Sequence, residues 1–562
     1  MSTIPTDADR RTARAGAGWN AAVGAVVNPS RRRGGTLRLA SSADVDSLDP
    51  ARTYYVWVWL LQRLLNRTLM AYPTEAGPEG LTPVPDLAEA PGEVSADGLT
   101  WTYRLRPDVR YENGRKVRAA DIRHAVQRVF AQDVLPGGPT YLIPLLDDPA
   151  RPYPGPYRDP DGLPAVHTPD DRTIVFRLRS PFPDFDHLMA QPCTAPVPQW
   201  ADTGARYGEA PLCSGPYRVA EYRAGSRLRL ERNPHWDPAT DPIRPALPDR
   251  VELTIGMGVD ELDDRLIAGE FDINLEGRGL QHAAQRRVLA DPLLRANTDN
   301  PETNFLQYIS IQPQIPPFND IHVRRAIQFA ADRVALQEAR GGPITGGDIT
   351  TVLFPPRLAA HQDLDLYPAG PDLRGDLDAA RAELARAGLP DGFSAVIGTQ
   401  RGKFRLVADA LAESVARVGI RLSVMELDVA TYFSQGVGSP ATIRDRSLGL
   451  VVTDWGADFP TEYGFLTPLV HGEQIKPAGG NWNLAELDDP TINTLIDSTL
   501  TCSDPHQRVE LWRKVERRVL ELAVFLPLVH DKTLHYRNPW VTNVYVHPAF
   551  GLYDVQAMGV DS

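Results

Sequence analysis

The region from residue 393 to residue 452 constrains the fold most strongly, because it alternates strand and helix patterns in a fixed order. Phe393 to Ile397 has the pattern of a strand, and apolar residues recur at helical spacing from Val407 to Val418. Gly419 ends that helix, and the alternation from Ile420 to Val424 predicts a second strand. This order predicts a βαβ unit with parallel strands, followed by a further strand from Leu448 to Val452.

The length of the chain predicts more than one hydrophobic core. At 562 residues and 42% hydrophobic content, the sequence suits a soluble protein built from two or more lobes of mixed α/β structure. Its formal net charge of −13 argues against nucleic-acid binding through a basic surface. No window of eighteen apolar residues is present, so no membrane-spanning helix is predicted.

The three cysteines, Cys193, Cys213 and Cys502, fit neither a disulfide scaffold nor a thiolate metal site. A bridge between Cys193 and Cys213 stays open as an alternative. The histidines show no ligand spacing, so we predict neither a metal site nor a cofactor.

The first 34 residues predict a disordered polar tail. They contain Arg10-Arg11 and a weakly apolar stretch from Ala15 to Val27, but no leucine-rich segment and no cysteine that a lipid could modify. This is not a convincing export signal, which leaves a cytoplasmic location open. Ordered structure is predicted to begin at Gly34-Gly35 and the strand pattern of Thr36 to Ala40.

The run from Trp455 to Phe459 offers two interpretations. In one, Trp455 is a core aromatic and Asp458 caps a helix that begins at Phe459 or Thr461. In the other, an aromatic wall and one carboxylate bind a cationic ligand. The carboxyl ends of parallel strands are where ligands bind in α/β sheets, and Trp455 and Asp458 directly follow the predicted strand.

Motifs of catalysis are missing from the sequence. It has no Gly-x-Ser-x-Gly, no His-Glu-x-x-His and no phosphate-binding glycine loop. Ser214 is followed by Gly215-Pro216 and has no adjacent base, which favours a turn rather than a nucleophile. We therefore predict no enzymatic activity and no catalytic residues.

Eight short motifs along the chain resemble those of one known family. They are Gly34-Gly35-Thr36-Leu37 with Ser47-Leu48-Asp49-Pro50, Pro85-Asp86-Leu87-Ala88, Asp97-Gly98-Leu99-Thr100-Trp101, Ala120-Asp121-Ile122, Ser214-Gly215-Pro216-Tyr217, Glu231-Arg232-Asn233-Pro234, Pro317-Phe318-Asn319-Asp320 with Val323-Arg324-Arg325-Ala326-Ile327, and the run from Trp455. In this order they resemble the family 5 extracellular solute-binding proteins, most closely the large actinomycete forms. Members of this family serve ABC importers of dipeptides, oligopeptides and some metal chelates.

The resemblance implies a periplasmic-binding-protein-like α/β fold of two lobes that close on a ligand. The first lobe is expected at residues 35–300, with an extra subdomain at about 66–190, and the second at residues 301–528. Residues 529–562 are expected to return to the first lobe. The crossings are placed near Asn297 to Asn304 and Leu526 to Asp531.

The resemblance also implies four ligand-binding residues. Asp458 matches the aspartate that pairs with the α-ammonium group of a peptide, and Trp455 matches the aromatic wall. Some members place an arginine for the peptide carboxylate where this chain has Val452; in dipeptide-type members the arginine position approximates Arg401. Arg401 is equally well explained as a solvated residue at a helix start. In the first lobe, Tyr55 is the favoured contact among the aromatics that follow Pro50.

By the same resemblance, the protein is expected to be a monomer outside the cytoplasm that delivers a peptide or peptide-like ligand to ABC permease subunits. The alternative, motivated by the N-terminus, is a non-exported relative that acts as a cytoplasmic ligand-binding protein or a recruited enzyme.

Overall fold

A computed structural model describes residues 17–159 and 162–561. The chain divides into two compact units: the first contains the described residues up to Pro301 and from Leu534 onward, and the second contains Glu302–Thr533. Within the described ranges, no helix is long and apolar enough to cross a membrane.

The second unit is built on one six-stranded sheet. Its strands, in spatial order, are Asp348–Ile349, Phe525–Lys532, Glu302–Ile311, Leu448–Gly456, Ser394–Thr399 and Arg421–Glu426. Its α-helices are Ile321–Ala330, Arg333–Arg340, Gly342–Thr345, Leu377–Arg386, Lys403–Ala416, Pro440–Asp445, Glu462–Val470, Pro490–Thr501 and Pro505–Glu521.

The predicted βαβ unit is confirmed. Ser394–Thr399 pairs in parallel with Arg421–Glu426 on one side and with Leu448–Gly456 on the other. The helix Lys403–Ala416 packs Val407, Leu411 and Val415 into the core on one face of the sheet. The sheet as a whole is mixed, because Glu302–Ile311 pairs antiparallel with both of its neighbours.

Local signals fix the helix ends in this unit. The Asp376 carboxylate accepts a hydrogen bond from the Ala379 backbone N–H at 2.9 Å, as an N-cap does. At the other end Gly388 takes a positive φ of 74°, which stops the helix where the sequence predicts. The Phe525–Lys532 strand continues past residue 528, and this unit ends at Thr533.

The first unit contains a five-stranded sheet and a separate four-stranded sheet. The first has the spatial order Ile273–Asn274, Thr36–Ser41, Arg250–Ile255, Arg227–Arg232, Tyr217–Arg223, and the second has the order Glu93–Val94, Thr100–Arg104, Thr173–Arg177, Val166–Asp170. Among the described residues of this unit, four further antiparallel pairs join strands of two residues each. They are Met70–Ala71 with Val84–Pro85, Thr298–Asp299 with His535–Tyr536, Val541–Thr542 with Gly559–Val560, and Val546–His547 with Leu552–Tyr553. The α-helices are Val56–Leu65, Ala119–Arg128, Leu142–Leu146, Phe185–Leu188, Val259–Ile267, His282–Ala290 and Pro292–Arg295.

The N-terminal prediction needs correction for the described residues. Ala22 and Val27 are buried in the core of the first unit, and the Val27 N–H donates to the Val544 carbonyl at 2.8 Å. The Asn28 side chain donates to the carbonyls of Pro539 and Val541. The prediction of a disordered tail to residue 34 is therefore wrong for residues 17–34, because burial of apolar side chains and backbone hydrogen bonds hold them in place. Residues 1–16, which include Arg10-Arg11, lie outside the described residues.

The cysteines are free thiols in the structure. Cys193 and Cys213 are buried, and Cys502 is partly exposed. The alternative of a bridge between Cys193 and Cys213 is therefore not realised.

Candidate functional site

Most of the predicted site residues lie at one end of the six-stranded sheet, where three of its strands terminate. Strand directions place the C-terminal ends of Ser394–Thr399, Leu448–Gly456 and Phe525–Lys532 at the same edge as the start of Glu302–Ile311. Arg401 follows the first of these ends and Asp458 follows the second. A cation and an anion thus stand after neighbouring parallel strands, where α/β proteins place ligands.

Asp458 is half-buried and lies two residues beyond the end of its strand. It does not cap the following helix, because Thr461 is the N-cap of Glu462–Val470 and its hydroxyl accepts a hydrogen bond from the Gly464 N–H at 3.2 Å. The capping interpretation of Asp458 is therefore wrong.

Arg401 lies in the turn between Ser394–Thr399 and the helix that begins at Lys403, and it is exposed. Among the described residues it forms no ion pair. Gly402, with a φ of 85°, lets the chain turn from strand into helix directly after it. The guanidinium therefore stands at the sheet edge with its hydrogen-bonding capacity open to an incoming anion.

Trp455 lies within the strand rather than after it, and it is only 6% exposed. Its indole N–H donates to the Phe465 carbonyl at 2.7 Å, and its ring packs with Leu306 and Tyr308. The structure thus places Trp455 in the core, as the first of the two interpretations predicts. Its exposed fraction leaves only an edge of the ring for a ligand.

The aromatic surface of the site extends to residues that sequence reasoning missed. Trp482 is partly exposed and packs against Trp455 with ring centroids 4.9 Å apart. Phe433 stacks on Trp482 at 5.2 Å, and Tyr432 contacts Phe433 at 5.1 Å. Nothing in the local sequence around Trp482 signals this position, because it comes from a loop 27 residues after Trp455 along the printed sequence.

Val452 occupies the position at which some family members carry an arginine. It is fully buried, and its carbonyl accepts the Tyr432 hydroxyl at 2.6 Å. This part of the strand is core, and it offers no partner for a carboxylate.

Asp454 is a further residue that the sequence reasoning missed. Residues alternate between the faces of a strand, so Asp454 points to the face opposite Trp455. It pairs in register with Gln307, whose side chain is fully buried with neither amide atom hydrogen-bonded among the described residues. Burial raises the pKa of Asp454 from 3.8 to about 6, with Asp531 adding to the shift and Arg340 opposing it. The signal in the sequence that could have identified Asp454 is a carboxylate that closely follows an apolar strand pattern.

A largely buried ion pair lies at the C-terminal end of the strand Phe525–Lys532, which Glu302–Ile311 separates from Leu448–Gly456. Arg340 contacts Asp531 at 3.1 Å, and the Thr303 hydroxyl reaches the same carboxylate at 3.4 Å. Burial raises the pKa of Asp531 against the opposing charges of Arg340 and Lys403. The edge therefore carries charges of both signs, which suits a ligand that carries both an ammonium group and a carboxylate.

Tyr55 belongs to the first unit. It is 50% exposed, its ring stacks on Trp57 at 6.3 Å, and Trp57 is buried. Tyr55 directly precedes the helix Val56–Leu65. An aromatic ring held by a buried neighbour and open on its other side can contact a ligand, whereas Trp57 is core.

Metal chemistry receives no support from side-chain clusters. Within residues 17–159 and 162–561, no group of three or more His, Cys, Asp or Glu side chains is arranged to hold a metal ion.

Comparison with protein families identifies the class. The family model for bacterial extracellular solute-binding proteins, family 5, matches residues 82–477, and the chain belongs to this family. The resemblance and the two-lobe binding-protein fold predicted from the sequence are confirmed.

Several known proteins are similar over nearly the whole chain. The solved structure of "Clavulanic acid biosynthesis oligopeptide binding protein 2" is 75% identical, has a TM-score of 0.97, and covers 98% of this chain and 100% of that one. The glutathione-binding protein GsiB of Escherichia coli strain K12 is 22% identical over 476 residues, 82% of this chain and 83% of that protein. Heme-binding protein A of Haemophilus influenzae is 23% identical over 495 residues, 85% of this chain and 84% of that protein.

Proposed function

We propose that the protein is the substrate-binding component of an ABC importer and that it binds a small peptide or peptide-like compound. One observation carries this proposal: Asp458 and Arg401 follow the C-terminal ends of two adjacent parallel strands. The name of the relative that is 75% identical, an oligopeptide-binding protein, supports the same ligand class.

Asp458 is proposed to pair with the α-ammonium group of the ligand. It is half-buried, so a pair formed there is partly shielded from water, and a charge-assisted hydrogen bond of this kind contributes about 1.5–3 kcal/mol. Arg401 is proposed to bind the ligand's carboxylate through its planar fork of donors.

The ligand backbone is proposed to lie against the aromatic residues Trp482 and Phe433, with the edge of Trp455 behind them. Aromatic faces accept many side chains because their contacts are mainly apolar and not directional. Tyr55 is proposed as a further aromatic contact from the first unit. Such a site fixes the two charged ends of a ligand more strictly than its side chains.

We propose that the protein binds its ligand without catalysing a reaction. The relatives named above are binding proteins, which supports capture and delivery to permease subunits by a monomer outside the cytoplasm. The alternative is a cytoplasmic relative that retains the binding site. Detection of the native protein in the membrane or medium fraction of its host supports the importer, and detection in the cytoplasm alone supports the alternative.

The direct test is calorimetric titration of the purified chain with defined di-, tri- and tetrapeptides, with glutathione and heme as comparison ligands. We expect saturable, one-to-one binding of at least one peptide. If neither a peptide nor glutathione, itself a peptide-like compound, binds while heme does, the ligand class proposed here is wrong.

A further inference from the structure

The first unit contains a basic cavity that the peptide site does not use. It has a volume of about 890 Å³ and lies beside the four-stranded sheet, at the first turn of the helix Ala119–Arg128. Its lining includes seven basic side chains, Arg106, Arg110, Arg115, Lys116, Arg118, Arg123 and Arg172. Only three acidic side chains, Asp108, Asp121 and Asp171, face them. This excess stands out on a chain whose net charge is −13.

The acidic residues neutralise part of this charge. Asp171 lies 3.7 Å from Arg118, and Arg172 pairs with Glu89, which is not part of the lining; all four side chains are at least one third exposed. Asp121 is occupied, because its carboxylate accepts hydrogen bonds from the Arg118 N–H and the Tyr111 hydroxyl, each at 3.0 Å. Asp108 pairs with Lys116 at 2.7 Å, and both side chains are more than half exposed. Exposed pairs of this kind are weak and are readily exchanged for a stronger anion.

Three of the arginines are held in place by neutral partners. Arg106 donates to the Asp86 carbonyl at 2.8 Å, and Arg110 donates to the Gly114 carbonyl at 2.7 Å. The Arg115 guanidinium lies over the ring of Trp200, 4.2 Å from its centroid. Within the described ranges these three form no direct ion pair with a carboxylate, although the charge of Arg110 acts on the nearby Asp108. Each guanidinium is therefore oriented without a salt-bridge partner.

We propose that this cavity binds a phosphate group. A phosphate presents three strong acceptor oxygens and up to two negative charges, which several guanidinium forks can share, whereas a single carboxylate satisfies one fork. The phosphate belongs either to a small soluble compound or to a lipid headgroup. The exposed ring of Trp200, 55% accessible, lies beside the cavity and suits contact with either source.

The test uses the full chain and two probes. Calorimetry with inorganic pyrophosphate measures a soluble phosphate, and co-sedimentation with phosphatidylglycerol vesicles, against phosphatidylcholine vesicles, measures a headgroup. We expect one of these probes to bind, with affinity that falls as salt is raised. Binding of pyrophosphate assigns the site to soluble phosphates, and selective binding to phosphatidylglycerol alone assigns it to lipid headgroups.

Variants locate the binding in the cavity. The double variant Arg110→Gln with Arg115→Gln is expected to weaken binding at least tenfold. Arg115→Gln alone, at an exposed position where folding is not at risk, is expected to weaken it several-fold. The matched control is Arg286→Gln, an exposed arginine on the helix His282–Ala290 that makes the same change in charge away from the cavity. The proposal is overturned if neither probe binds the unaltered chain, or if the control weakens binding as much as the cavity variants do.

Discussion

Gln307 and Asp454 lie directly opposite each other on the two central, antiparallel strands of the second unit's sheet. The Gln307 amide is fully buried without a hydrogen-bond partner among the described residues, and burial raises the pKa of Asp454 to about 6. Buried polar groups are normally hydrogen-bonded, and burial of a carboxylate disfavours its charged form. Asp454 lies on the strand Leu448–Gly456, and Asp458 follows the end of that strand.

Replacing Asp454 by Asn is expected to stabilise the protein at neutral pH. The pKa of Asp454 is raised from 3.8 to about 6 in the folded state, so ionisation of the buried group costs stability. The cost is absent below pH 3.8, grows as pH rises, and is complete above about pH 6. Urea unfolding at pH 7.5 is expected to show a gain of up to about 3 kcal/mol for Asp454→Asn, which shrinks towards zero near pH 4. An equal gain at both pH values would contradict the assignment.

His530 is expected to make the protein sensitive to mild acid. Burial lowers its pKa from 6.5 to about 3, with the charges of His361 and Arg357 adding to the shift. Below pH 6.5 the His530 imidazole binds a proton in the unfolded chain, whereas in the folded chain it is protonated only below about pH 3. The free energy of unfolding therefore falls as the pH falls through this window.

The variant His530→Gln is expected to reduce the slope of unfolding free energy against pH by up to about 1.4 kcal/mol per pH unit between pH 6 and pH 4. His506→Gln, at an exposed position, is the control and should leave the slope unchanged. The slope is the decisive quantity, because a loss of stability caused by the replacement itself lowers the free energy of unfolding equally at every pH. Such a loss leaves the slope unchanged.

Replacement of the Thr461 side chain and replacement of the Asp458 side chain are expected to change the free energy of unfolding by different amounts. Thr461→Ala deletes the N-cap of Glu462–Val470 and should cost about 1 kcal/mol. Asp458→Asn leaves that N-cap in place and should therefore cost less than Thr461→Ala. Thermal and urea unfolding of the two variants side by side measure the difference, and a larger loss from Asp458→Asn would restore the capping interpretation.

Thiol titration is expected to separate the three cysteines. Cys193 and Cys213 are buried, and burial raises the pKa of Cys193 to about 12, so neither should react with a thiol reagent in the folded protein. Cys502 is partly exposed and should react. Unfolding without reductant should then release all three thiols; release of a single thiol would instead show a disulfide between Cys193 and Cys213.

Sequence patterns predicted the elements that depend on local signals. The βαβ unit follows from apolar periodicity, and the ends of Leu377–Arg386 follow from Asp376 and Gly388. Family motifs supplied the two-lobe fold. In the candidate site, chain order predicted that Asp458 follows the carboxyl end of a parallel strand, because parallel strands end on the same side of a sheet. Arg401 was named only from the family resemblance.

The remaining features depend on contacts between residues far apart in the sequence. Trp455 was assigned to the ligand wall, yet pairing extends the strand through Gly456 and buries most of its ring. Trp482 enters the site from a distant loop, and Gln307 is buried by neighbours that its own strand does not reveal. Residues 17–34 were assigned to a tail because their composition is polar, but their partners lie near the C-terminus. No window of sequence contains such pairings.

The central claim is that Asp458 binds the ligand's ammonium group, and a calorimetric cycle tests it most directly. A peptide that binds the unaltered chain is titrated in its free and N-acetylated forms into that chain, into Asp458→Asn, and into the control Asp445→Asn, an exposed aspartate at the end of the helix Pro440–Asp445. We predict that acetylation or Asp458→Asn each weakens binding by about tenfold to a hundredfold, that the two losses do not add, and that Asp445→Asn changes nothing. Equal affinity of Asp458→Asn and the unaltered chain for the free peptide, or fully additive losses, would contradict the claim.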